Sequence, residues 1–299
     1  MNQYYKDYSE YLAEKFPGLK VQKISVNAGF SCPNRDGTIG RGGCIYCDNS
    51  SFTPAYCFNA KGVRGQIEAG KRFFGRKYPE MKYLAYFQSF TNTFGPVEEI
   101  ESLYREALDC PDIVGMIVGT RPDCLPDGIV ALLASLNCEK PVLMELGAET
   151  FCDDTLRLIN RGHTSAQTMD AVNRLSAAGL PVGLHLIAGL PGESDDQVLE
   201  NVNYACSMRI DSIKLHHLQV IRDSELHCMW KQGEIEVIPY DLQRYLDLCV
   251  NIVEMVPRHI AIERFLASSP QDKVVAPHWG LKNYQFVNLL HKRLESDAL

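Results

Sequence analysis

No long apolar run opens this chain. Its first residues, MNQYYKDYSEYLAEKF, mix charge with tyrosine, so they match neither a secretion signal nor a membrane span of about 20 apolar residues, and the expected compartment is the cytoplasm. Low-complexity tracts are missing, as are an internal repeat and a linker long enough to divide the chain. A disulfide framework is excluded as well. The eleven cysteines are odd in number and irregularly spaced in a chain of 299 residues without an export signal, which favours reduced thiols and a metal site. Positive charge is not in excess either: the formal charge of -7 gives no general attraction to nucleic acid. Lys71, Arg72, Arg76 and Lys77 form one basic cluster, readable as a small basic surface or as a solvated helix end.

What the chain does have is a cysteine-bearing loop at 29–49, GFSCPNRDGTIGRGGCIYCDN, with Cys32, Cys44 and Cys47. Gly37, Gly40, Gly42 and Gly43 allow the tight curl that aims three side chains at one point. Cys44 and Cys47 have the spacing common to zinc and iron-sulfur sites. A closed zinc site takes four protein ligands, yet no Cys or His lies two to four residues from Cys32. Three thiolates leave one iron of a cubane cluster open to another ligand. The competing readings are a zinc site completed by Cys57 and cysteines packed as small hydrophobes.

Strands and helices alternate along the rest. Strand patterns fall at 24–28, 81–88, 113–120, 142–146, 182–188 and 213–220, with a weaker one at 260–265; helical stripes fall at 63–74, from Pro96 through Leu108, and at 126–136, 153–160, 164–179, 240–256 and 283–294, with another opening at Ser194. Thr164 with Gln167, and Ser194 with Gln197, are capping boxes. Hydrophobic content of 45% supplies one sizeable core. Such alternation implies a parallel α/β sheet, either doubly wound or a full or partial barrel.

In such folds chemistry gathers where the strands end. Those ends carry the cysteine loop, then Gln88 to Thr93, Thr120 to Asp123, Glu145 to Glu149, His185 with the turn GLPGE, and His216, His217, Gln219 and Arg222. Singly, each has a bland reading: Arg121 or Glu149 as a structural ion pair, one of the paired histidines as packing, GLPGE as a tight corner.

With the Cys32, Cys44, Cys47 loop, the segment SFTNTF, TRPD, LRLINRGHT from Leu156 and GLPGE from Gly189 in this order, the chain resembles the radical SAM (S-adenosylmethionine) enzymes over nearly its whole length. The likeness is nearest to the YhcC-like group related to the Elongator catalytic subunit. Two departures stand out. Eleven residues separate Cys32 from Cys44 where three are common in the superfamily, and Ser89-Phe90-Thr91 replaces the usual glycine-glycine-glutamate. The resemblance implies a partial (β/α)6 TIM-like barrel of the radical SAM type at 21–222, with extensions at 1–20 and 223–299. It also implies a 4Fe-4S cluster on Cys32, Cys44 and Cys47 whose open iron chelates SAM. By motif position Tyr46 would lie against the adenine, Thr91 near the methionine amino group, Glu149 near the ribose, Arg161 near the carboxylate, His185 beside the nucleoside and Leu190 under the adenine. Reductive cleavage of SAM would yield a deoxyadenosyl radical. The expected substrate is tRNA, at the wobble uridine side chain, with a flavodoxin or ferredoxin as reductant; a small metabolite or protein substrate is the alternative, and a zinc-stabilised binding protein the non-enzymatic one.

Overall fold

A computed structural model describes residues 2–48, 53–75 and 80–297. In chain order it contains β1 (Lys6–Asp7), α1 (Tyr8–Lys15), β2 (Val21–Val26), α2 (Ala55–Asn59), α3 (Gly62–Phe74), β3 (Lys82–Phe87), α4 (Val97–Leu108), β4 (Ile113–Thr120), α5 (Asp127–Glu139), β5 (Val142–Glu149), α6 (Asp153–Leu158), α7 (Ser165–Ala177), β6 (Val182–Ala188), α8 (Asp195–Cys206), β7 (Ser212–His217), β8 (Val220–Ile221), α9 (Glu225–Gln232), α10 (Leu242–Met255), β9 (Ala261–Arg264), β10 (Val274–Ala276) and α11 (Asn283–Asp297). No helix among the described residues is long and apolar enough to cross a membrane.

Eight strands form one sheet in the order β1-β9-β7-β6-β5-β4-β3-β2, and every pairing is parallel. The six strands β2 to β7 lie side by side in sequence order, the arrangement of a partial (β/α)6 barrel. Two more strands continue the sheet past β7: β9 from segment 223–299, then β1 from segment 1–20. Five strands separate β2 from β9 in the sheet, yet Lys23 Nζ on β2 lies 2.9 Å from Glu263 on β9. The sheet is therefore curled until its two sides meet across the interior.

Local sequence accounts for most of this. β4, IVGMIVGT, is almost wholly apolar because helices cover one side and the barrel interior the other. On α4, Ile100, Tyr104, Ala107 and Leu108 make the buried stripe. Both capping boxes form, with the Thr164 and Ser194 side chains each accepting from the backbone of the glutamine three residues on. The bottom of the barrel is plugged by α1, whose Tyr11 packs with Phe16, Leu84, Ile117 and Leu143. Truncating one fully buried aliphatic here, such as Ile117, costs about 2–5 kcal/mol.

One strand ends early. The expected strand at 213–220 stops at His217, because after Leu218 donates to Ala188 the chain leaves the ladder, and Val220–Ile221 pairs antiparallel with β10 instead. Of the basic cluster, Lys71 and Arg72 close α3, and Lys71 pairs with Glu68 and Asp112 at 3.2 and 3.3 Å. Arg76 and Lys77 lie outside the described residues, as does Asn49 of the cysteine loop.

Candidate active site at the strand ends

The cysteine loop leaves β2 and is held by its own backbone and by the segment after α6. Arg35 and Asp36 donate to the Cys32 carbonyl at 2.8 and 3.1 Å, and Cys47 donates to that of Cys44 at 3.0 Å. Gly43 sits at φ +87°, where a Cβ would come within 2.7 Å of Arg35, so the loop requires glycine there. Across from it, Asn160 donates to the Gly43 carbonyl at 2.7 Å while Asn34 donates to the Asn160 carbonyl at 2.6 Å. This exchange explains the run LINRG: Asn160 and Gly162 both adopt positive φ so that the turn can face the loop. Leu226, in the first turn of α9, donates to the Ile45 carbonyl at 2.8 Å, tying the C-terminal segment to the same loop.

A cavity of about 370 Å³ opens beside the three thiols. Its wall includes Cys32, Cys44, Cys47, Tyr46, Thr91, Glu149, Arg161 and His185. Leu190 is the exception among the expected contacts: it is buried with Ile45, Leu156, Ile159 and Leu218 in a cluster against which Tyr46 packs, and so supports the cavity from behind. Arg161 Nη1 lies 3.7 Å from Cys44 Sγ, and its Nη2 donates to the Gly147 carbonyl at 2.7 Å and faces Glu149 at 3.3 Å. A Cβ on Gly147 would approach that Nη2 to 2.6 Å, so glycine leaves the guanidinium its place. Phe90 and Glu149 are non-glycine residues at φ +66° and +68°, and both line the cavity, consistent with local strain concentrated at a working site. Burial and the neighbouring Cys44 push the Cys47 thiol up to about 11, a cost that metal ligation of the thiolate would reverse.

Beneath the thiols lies a layer of charge that strand periodicity did not single out. Glu145 on β5 accepts from Tyr86 at 2.6 Å and lies 2.7 Å from His185 Nε2, 3.0 Å from Lys214 and 3.0 Å from Lys23. Glu263 meets the same two lysines at 2.9 and 3.0 Å. Burial by itself would raise the Glu145 carboxyl, but Lys214 and Lys23 hold it well below the usual range, so it is ionised. Burial lowers Lys214 and takes His217 down to about 3; it also lowers His216 strongly, with Arg264 and His185 adding to the effect. His217 stacks on Trp279 at 4.4 Å. The available signal was a charged side chain interrupting an apolar strand, as at Lys214 in SIKLHH and at Glu145 in VLMELGAE; Lys23, in the mixed strand VQKISV, gave none.

Four buried polar atoms of wall residues have no partner among the described residues: Thr91 Oγ1, Arg161 Nε, His217 Nδ1 and Gln219 Oε1. An unmade hydrogen bond in such a position is expensive, so the two beside the thiols, Thr91 Oγ1 and Arg161 Nε, mark where a polar ligand belongs. Three thiols with room for a fourth, non-protein ligand, beside a free hydroxyl and a guanidinium, fit a 4Fe-4S cluster with SAM. They fit zinc poorly. Cys57 lies on α2 with its thiol 3.3 Å from the Ser25 carbonyl and off the cavity wall, and no three His, Cys, Asp or Glu among the described residues converge as one ion would require.

The chain is similar to several known proteins. Residues 36–205 match the Radical SAM superfamily and residues 210–296 the Radical_SAM C-terminal domain. YhcC of Escherichia coli is 37% identical over 88% of this chain and 83% of its own length; YtqA of Bacillus subtilis is 32% identical over 98% and 90%. A tRNA uridine(34) acetyltransferase of Methanocaldococcus jannaschii is 26% identical over 62% of this chain, which spans only 34% of that protein. Among solved structures, Elp3 of Methanocaldococcus infernus superposes with a TM-score of 0.69 at 19% identity, covering 94% of this chain and 64% of that one. The chain belongs to the radical SAM superfamily, in a YhcC-like group related to Elongator, and its cofactors are that family's 4Fe-4S cluster and S-adenosylmethionine.

Proposed function

We propose that this chain reductively cleaves SAM and uses the resulting deoxyadenosyl radical to modify tRNA at the wobble uridine side chain. The observation that carries the radical chemistry is the convergence of three loop thiols with the unpartnered Thr91 Oγ1 and Arg161 Nε on one cavity. When bound, the cluster and SAM supply a low-potential electron, at roughly -400 mV or lower, and a carbon radical able to abstract hydrogen.

The chain's own residues then have separable tasks. Cys32, Cys44 and Cys47 hold the cluster, and Arg161 places positive charge 3.7 Å from the Cys44 sulfur. Thr91 takes the methionine amino group, Arg161 the carboxylate, Glu149 the ribose and His185 the nucleoside edge. Tyr46 lies on the adenine, stiffened by the cluster that contains Leu190. His185 is oriented by Glu145 at 2.7 Å, which sits in the paired layer below. The C-terminal segment, through the 267–269 loop on the wall and Trp279 stacked behind His217, would help keep water from the reacting centre. A flavodoxin or ferredoxin in the cytoplasm would deliver the electron.

The tRNA part is supported by the name of the acetyltransferase relative and by the Elongator likeness. Comparing modified nucleosides of tRNA by mass spectrometry in wild-type and deletion cells tests it, and a missing or accumulated wobble-uridine species is expected. An unchanged profile moves the substrate to a small molecule or a protein, a reading favoured by the -7 charge. Anaerobic purification tests the chemistry separately: a brown protein that forms deoxyadenosine from SAM and reductant is expected, and stoichiometric zinc without turnover would exclude it.

A further inference from the structure

Most cations on the cavity wall are already engaged within the chain. Arg121 is held by Asp123 through two contacts at 2.9 Å, and Arg161 by the Gly147 carbonyl and Glu149. Arg35 donates to the Cys47 carbonyl at 2.7 Å, and Lys214 bridges Glu145 and Glu263. Arg264 differs. Among the described residues it has no carboxylate at ion-pair distance, and its one side-chain hydrogen bond runs from Nη1 to Ser268 Oγ at 3.3 Å.

Its position is built by a break in register. Pairing between β7 and β9 steps from Ile213 with Ile262 to Lys214 with Arg264, so Glu263 is an extra residue in β9. Such a bulge lets two consecutive side chains share one side of a strand. Glu263 reaches the lysines inside the barrel, and Arg264 reaches the cavity wall with Ser268 and Ser269. Burial, with the nearby Arg264 charge adding to it, lowers His216, which keeps that imidazole neutral and adds no competing cation. None of the residues assigned above to SAM lies on β7, on β9 or on the 267–269 loop, so this wall is left over once the cofactor is accommodated.

We propose that the β9 wall is the substrate half of the cavity, where the Arg264 guanidinium, flanked by Ser268 and Ser269, binds an anionic group of the substrate, a carboxylate or a phosphate. This rests on the radical SAM reading of the same cavity. A guanidinium is suited to the task because its planar fork donates two parallel hydrogen bonds to either oxyanion. Left without an anion, a half-buried cation is only partly solvated, so a charged substrate gains more here than on open surface.

The test titrates reconstituted, cluster-bearing protein by calorimetry with sodium acetate and, separately, with inorganic phosphate, at constant ionic strength, with and without SAM. One of the two anions is expected to bind at a single site with SAM present, which also tells carboxylate from phosphate. Arg264→Gln should weaken that binding at least about tenfold, the scale of one lost charge-assisted bond, and Ser268→Ala about threefold. SAM affinity and the visible cluster spectrum should stay unchanged in both. Arg264→Lys, which keeps the charge and loses the fork, should fall between wild type and Arg264→Gln. In wild type the bound anion should also protect Arg264 from phenylglyoxal, read on its peptide by mass spectrometry, a measurement that needs no variant to fold. Absence of binding, or binding indifferent to Arg264, overturns the proposal. A matching loss of SAM affinity in Arg264→Gln overturns it differently, by assigning the residue to the cofactor. If wild type holds neither cluster nor SAM, the radical reading itself falls, and the SAM-free titration still reports on Arg264.

Discussion

The rim of the cavity and its floor handle polar groups in opposite ways. At the rim, Thr91 Oγ1 and Arg161 Nε are buried without partners, and the three thiols stand beside them unpaired as disulfides. On the floor, Glu145 and Glu263 meet Lys23 and Lys214 through four contacts between 2.9 and 3.0 Å, with Tyr86 and His185 taking further bonds to Glu145. Unsatisfied groups are destabilising in a bare protein and productive only when a ligand arrives. A satisfied ionic layer fixes the shape of the barrel and holds His185 in place, whatever is bound above it. Ligand chemistry therefore belongs to the rim and preorganisation to the floor.

The strongest way to break that division is to remove one rim sulfur. Cys47→Ala should abolish the brown colour and deoxyadenosine formation together, while the far-ultraviolet circular dichroism and the unfolding midpoint move little. Cys57→Ala, whose thiol is bonded to the Ser25 carbonyl away from the cavity, should alter neither colour nor cleavage. Cleavage lost in both would make Cys57 a member of the site and blur rim with scaffold.

The floor should respond in the reverse sense. Glu145→Ala leaves Lys23 and Lys214 to share Glu263 in the interior, and removing one member of a buried ionic set costs about 3–5 kcal/mol. Denaturant unfolding should show that loss directly. A change near zero would mean that water enters the layer and screens it, and the floor would no longer count as preorganised.

How much of each region could be read from the chain follows from sequence distance. The rim is carried by local patterns: three cysteines with glycines in one loop, and runs such as SFTNTF and LINRG whose positive-φ residues mark sharp turns. The floor is not. Lys23, Tyr86, Glu145, Lys214 and Glu263 come from five strands spread over most of the chain. They meet only because the sheet curls far enough to bring β2 against β9. Period-two patterning shows that each lies on a strand, but it contains no term for that curl. The same reason hides Arg264, since one inserted residue in β9 decides which way it points. Leu190 shows the converse: its motif position suggested a cofactor contact, and its burial behind Tyr46 comes from a neighbour, Ile45, far away in sequence.

Acid should weaken the fold partly through His217. Its unfolded imidazole titrates near 6.5 and burial takes the folded one to about 3. Below pH 6.5 the unfolded chain binds the proton more tightly, so stability falls as pH drops toward 3. Between pH 7 and pH 5 this group alone accounts for about 2 kcal/mol. His217→Phe keeps a ring against Trp279 and should shrink the loss between those two pH values by that amount; an unchanged loss would assign the acid sensitivity to other groups.

The smallest expected effect separates rim from floor most sharply, because its two readouts move in opposite directions. Thr91→Val exchanges the unpartnered hydroxyl for a methyl group of similar size. With no internal hydrogen bond to lose and a buried polar atom removed, stability should hold or rise by up to about 1 kcal/mol. SAM affinity should fall by about fivefold, the worth of one hydrogen bond of roughly 1 kcal/mol, with the cluster spectrum intact. A floor residue cannot behave this way, since replacing it breaks bonds that exist before any ligand binds. If stability drops and SAM binding does not, Thr91 is scaffold, and the position near the methionine amino group passes to another side chain of the SFTNTF turn.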